Sequence, residues 1–115
     1  MNPFTDFSRL CVHTITTKPW SVEEASHRYA EAGVAGITVW RQWLEGRDIA
    51  EVGENIRGNG LEIVSLCRGG FFPARDAIGL EAAIEDNRTA IREAAALGAP
   101  LIVLVCGAVP GQPLE

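Results

Sequence analysis

The chain has 115 residues, 47% hydrophobic and 22% charged, with twelve glycines. This is the composition of one globular domain, not of a disordered, collagenous or low-complexity segment. A formal net charge of −5 argues against nucleic acid and anionic membrane as partners, because both are gripped through an excess of Lys and Arg.

The first apolar run, Leu10 to Thr16, is rich in β-branched residues and lacks polar alternation, as expected of a strand covered on both faces. Ser21-Val22-Glu23-Glu24 then fits a capping box, with the Ser21 hydroxyl accepting from the Glu24 amide and the Glu24 carboxylate reaching back. The helix that follows carries Val22, Ala25, Tyr29 and Ala32 on one side and ends at Gly33. Gly36 to Trp40 is a second strand, and Arg41 to Gly46 a loop. Asp48 and Glu51 frame another capping box, with Ile49, Val52 and Ile56 at helical spacing despite Gly53 and Gly58. Leu61 to Leu66 supplies a third strand, and Cys67-Arg68-Gly69-Gly70-Phe71-Phe72-Pro73 a loop that joins a positive charge to two exposed aromatics. A third helix runs over about Leu80 to Leu97, with Ile84, Ile91, Ala95 and Leu97 inward and Glu85, Arg88 and Arg92 outward. Leu101 to Val105 is a fourth, almost wholly apolar strand, followed by a loop from Cys106 to Glu115.

Consecutive β-α-β units with short links imply right-handed crossovers. The expected architecture is α/β: four parallel strands in the order 1-2-3-4 with three helices on one face, half of a (β/α)₈ barrel, whose single-chain form needs roughly 250 residues. Residues 1–115 read as one domain, the N-terminal half of such a barrel, truncated after the fourth strand. A doubly wound sheet is the competing arrangement, but neither G-x-G-x-x-G nor G-x-x-x-x-G-K-[ST] is present to support a nucleotide-binding version.

Cys11, Cys67 and Cys106 form an odd set without CxxC spacing, which suggests neither a disulfide framework nor a zinc ribbon. Met1 to Arg9 is short and polar, unlike a secretory signal. No apolar stretch approaches the ~20 residues of a membrane span. The expected location is the cytoplasm.

Thr16-Thr17-Lys18-Pro19-Trp20-Ser21-Val22-Glu23-Glu24-Ala25, Gly36-Ile37-Thr38-Val39-Trp40-Arg41 and Ser65-Leu66-Cys67-Arg68-Gly69-Gly70-Phe71-Phe72 together resemble the N-terminal half of the sugar phosphate isomerase/epimerase family, with its xylose isomerase-like TIM barrel. The stretch from Asp86-Asn87-Arg88 to Gly98, followed by Leu101 to Gly107, continues the likeness into the fourth strand. The resemblance implies a metal-dependent enzyme that isomerises or epimerises a sugar or sugar phosphate through an enediolate. A divalent metal, often manganese, is held there by two Glu, an Asp and a His on later barrel strands, so this chain should lack both the metal ligands and the catalytic residues.

What remains for this half is the wall of the substrate pocket, because barrel active sites form at the carboxyl ends of the strands. The resemblance matches His13 to an aromatic pocket residue of the epimerases, which His replaces here, and Trp20 to an aromatic in the next loop. Position at strand ends adds Trp40, Arg41, Arg68, Phe71 and Cys106. Arg68 beside two glycines suits a phosphate or carboxylate, or else a salt bridge to Asp76 or Glu62. Cys67 and Cys106, if neighbours at adjacent strand ends, would with His13 make a soft-metal trio; small buried thiols are the plainer reading. His27 belongs on the helix surface, and Glu23, Glu24, Glu51, Glu81, Glu85 and Asp86 read as caps or solvated faces. Two alternatives stand beside the enzyme fragment. One is a non-catalytic half-barrel that assembles with a second copy or a complementary half. The other is a DNA-repair enzyme of the endonuclease IV type, disfavoured by charge and by scarce histidines.

Overall fold

The computed structural model describes residues 5–111 and residue 113; the first four residues of the segment read as a non-signal N-terminus lie outside them, as do Gln112, Leu114 and Glu115 of the last loop. The elements are β1 (Cys11–His13), α1 (Val22–Glu31), β2 (Gly36–Trp40), α2 (Ile49–Gly58), β3 (Glu62–Gly70), α3 (Ala77–Leu97) and β4 (Ile102–Val105). Short 3-10 turns at Thr14–Thr17 and Arg41–Leu44 follow β1 and β2. The sheet is parallel throughout and its order is β1-β2-β3-β4, the sequential arrangement and not the doubly wound one.

One sheet face carries the core. Ile37, Val39, Ile63 and Leu66 meet Val22, Ala25 and Tyr29 of α1, Val52 and Ile56 of α2, and Ala94 and Leu97 of α3. Because successive strand side chains alternate, Cys11, His13, Thr38, Trp40, Ser65 and Cys67 fall on the opposite face. That face holds a polar chain: Cys11 Sγ lies 3.3 Å from Thr38 Oγ1, which lies 2.8 Å from Ser65 Oγ.

The starts of α1 and α2 are capped as the sequence suggests, Ser21 accepting from the Glu24 amide at 3.1 Å and Asp48 from the Glu51 amide at 3.2 Å. The Glu24 carboxylate does not close its box; it pairs with Arg28 one turn on, at 3.1 Å. Ala32 is the exposed C-cap of α1 and not part of its buried side, where Ser26 lies instead, its hydroxyl donating to the Val22 carbonyl. Strand extents also differ from expectation. After His13 the chain tightens into a 3-10 turn, whereas β3 runs on through Cys67 to Gly70, because pairing with β4 continues to Gly70 and Val105.

The inward face of α3 is Asn87, Ala90, Ala94 and Leu97, while Ile84, Ile91 and Ala95 are exposed. Reading the largest apolar residues as inward fails because α3 packs at close range. A Cβ on Gly53 of α2 would stand 2.4 Å from the Leu97 carbonyl oxygen, and one on Gly69 would stand 2.7 Å from Asn87 Oδ1. Gly and Ala are the side chains this spacing admits.

Candidate functional site

The carboxyl ends of β1 and β2 are joined through side chains. His13 and Trp40 end their strands, and the Trp40 indole N–H donates to His13 Nδ1 at 3.0 Å. The buried Tyr29 of α1 reaches the same place: its hydroxyl donates to the His13 carbonyl at 3.2 Å and lies 2.5 Å from Thr17 Oγ1. Burial pushes the Tyr29 phenol above its ordinary pKa, so it stays a neutral donor. The Thr14 hydroxyl accepts from the Trp40 backbone N–H at 3.0 Å. His13 is thus fixed at its carbonyl and at one ring nitrogen.

Arg41 begins the turn after β2 and points to the helix layer. Its Nε donates to Glu93 at 2.9 Å, Nη1 to Asp86 at 3.0 Å and to the Arg68 carbonyl at 3.3 Å, and Nη2 to Asp86 and Glu93 at 3.1 Å each. A guanidinium carries five N–H donors, and every one is committed within the protein. The hydrogen bonds to Glu93 and then Asp86 push Arg41 above its ordinary pKa. In return Arg41 holds the Asp86 carboxyl below the ordinary range.

Arg68 is free of such ties: its guanidinium lies 4.4 Å over the Phe71 ring and forms no ion pair among the described residues, neither with Asp76 nor with Glu62. Phe71 has φ of +57°, a left-handed conformation rare for a bulky residue. Asn87 holds the turn that leads into it, accepting from the Gly70 N–H at 2.7 Å and donating to the Gly70 carbonyl at 2.9 Å. Arg41, Arg68, Phe71, Glu45, Asp86 and Glu93 surround an open cleft of about 310 Å³.

The structure therefore sorts the sequence candidates into groups. His13 and Trp40 form one hydrogen-bonded pair on the face away from the helices; Arg41, Arg68 and Phe71 share the outer cleft. Trp20 is in neither, packed on Tyr29 and under Arg28, with its carbonyl accepting from Trp43 Nε1 at 2.7 Å. Cys106 is exposed beside Gly107, which lies against Phe71. Cys67 is buried, its thiol pushed up by desolvation, and its partner across the sheet is Val103, not Cys106. His27 is exposed and pairs with Glu31 at 3.3 Å. Asp86, read as surface, and Glu93 and Asn87, passed over, turn out to organise the cleft. Their spacing in α3, with Asp86 and Glu93 two turns apart on one side, is the signal that points to a shared cation. No three His, Cys, Asp or Glu among the described residues group as metal ligands, so this chain's residues do not fit the metal that the resemblance implies.

Comparison with known proteins gives a consistent result. The sequence profile of the xylose isomerase-like TIM barrel matches residues 27–115. The crystal structure of protein SMc04130 from Sinorhizobium meliloti is 42% identical, with a TM-score of 0.81, over 92% of this chain and 39% of that one. A xylose isomerase domain containing protein from Salmonella typhimurium, 18% identical, shares the fold at a TM-score of 0.76 over 99% of this chain and 42% of its own. A xylose isomerase-like TIM barrel/4-hydroxyphenylpyruvate dioxygenase fusion protein, 15% identical, does so at 0.74 over 84% of this chain and 16% of its own. No curated protein matches the chain. It spans about two fifths of the length of the Sinorhizobium relative.

Proposed function

The chain belongs to the xylose isomerase-like TIM barrel family, and from that premise we propose that it is the N-terminal half of an enzyme that isomerises or epimerises a sugar or sugar phosphate through an enediolate. Its part is the pocket wall. The observation that carries this reading is the His13–Trp40 pair, locked at 3.0 Å at the carboxyl ends of adjacent parallel strands, where barrel enzymes of every chemistry bind substrate.

The division of labour follows from the residues present. The Trp40 indole offers a flat apolar surface and His13 a polar ring edge, while Arg68, in the separate outer cleft, offers a guanidinium to an anionic group there. The carboxylates of Asp86 and Glu93 are held by Arg41, so the base that removes the proton next to the carbonyl belongs to the rest of the barrel. The partner of this half is then the complementary half, which covers the unpaired edges of β1 and β4.

A chimera tests the reading. With this chain substituted for the matching segment of the Sinorhizobium relative, ketoses and ketose phosphates incubated in D₂O should take up deuterium at the carbon beside the carbonyl, the mark of an enediolate. A folded chimera that exchanges none of them contradicts the proposed reaction.

A further inference from the structure

The His13–Trp40 hydrogen bond has a direction that chemistry fixes. An indole nitrogen is a donor only, so His13 Nδ1, 3.0 Å from Trp40 Nε1, must be the acceptor and carry no proton. In the neutral ring the proton then sits on Nε2. That nitrogen makes no hydrogen bond to any described residue, and His13 is half-exposed on the sheet face away from the helices. Tyr29 anchors the His13 backbone at its carbonyl and Trp40 holds the ring at Nδ1.

We propose that Trp40 is a positioning residue that locks His13 in its Nε2–H tautomer, making His13 a hydrogen-bond donor to a carbonyl or hydroxyl oxygen of the substrate and not the base that removes its proton. The proposal deepens the pocket reading above and rests on it for the substrate. Had the residue at position 40 been Asp or Glu, it would have accepted from Nδ1–H and left Nε2 as a base, the arrangement of a catalytic dyad. Trp reverses that polarity. The ligand group facing His13 is therefore an oxygen with a lone pair to offer, as every neutral sugar has, and an ammonium there would meet a donor.

The lock is measurable without any activity. Long-range ¹H–¹⁵N spectra of the ¹⁵N-labelled chain at about pH 8 should show His13 with an unprotonated Nδ1 and a protonated Nε2, and a Trp40 indole proton that exchanges slowly. His27, exposed on α1, serves as the comparison ring. In His13→Gln the Trp40 indole proton should exchange faster, and in Trp40→Phe the His13 nitrogens should move toward the average of two tautomers. Averaged His13 signals in the parent chain, or a proton on Nδ1, would overturn the lock. Addition of D-fructose as a neutral ketose probe should shift the Nε2–H resonance; an intact lock with an unmoved resonance at saturating probe would overturn the substrate contact alone.

Discussion

Arg41 was a candidate for substrate on position, yet its donors are all spent on Asp86, Glu93 and the Arg68 carbonyl. Replacing it by Met leaves two carboxylates without the cation they are hydrogen-bonded to and should destabilise the chain by about 1–3 kcal/mol, the range for a polar group left without its partner. Glu93, 19% exposed against 21% for Arg41, supplies most of this, because Asp86 at 57% is screened by solvent. A carboxyl held below its ordinary value contributes stability that is complete above that value and lost as pH falls through the lowered one. Asp86 is such a group. Stability of the parent chain against urea should therefore fall as pH drops below the ordinary Asp value of 3.8, and Arg41→Met should flatten that decline. Parallel pH curves for the two proteins would remove Arg41 as the cause. Little of this cluster was legible in the sequence, since Asp86 and Glu93 lie 45 and 52 residues from Arg41 and only the tertiary fold brings them together.

Helix α2 shows how packing overrides propensity. Its two glycines look alike in sequence, each weakening the helix by about 1 kcal/mol relative to Ala. Gly58→Ala meets nothing within 4 Å and should gain about 0.5–1 kcal/mol. Gly53→Ala would place its Cβ 2.4 Å from the Leu97 carbonyl, forcing α2 away from α3, and should cost about 1–3 kcal/mol. Thermal unfolding of the two variants should shift in opposite directions; equal stabilisation would mean that α2 and α3 are not in such close contact. Capping signals were readable because they are local, as Ser21 and Asp48 show. The phase of α3 was not, because its inward face is set by the bare backbone of Gly69 and Gly53 opposite it.

At the scale of the molecule, the sequential β/α units made the order 1-2-3-4 the expected one, with a doubly wound sheet as the alternative, and the structure has the sequential order. What the parallel sheet leaves open is equally plain. The outer strands β1 and β4 each have one neighbour, and Leu101, Leu104 and Ile91 are 61%, 59% and 60% exposed along β4 and α3. These side chains face where another β/α unit packs in a closed barrel. No helix among the described residues is long and apolar enough to cross a membrane. The cover these side chains call for is the rest of a barrel. Its most direct test mixes this chain with the segment of the Sinorhizobium relative that lies beyond the matched 39%. Sedimentation with hydrogen exchange should find a one-to-one complex in which the amides of Ile102–Val105 become strongly protected. Two species that sediment separately, with those amides exchanging as in the isolated chain, would contradict it.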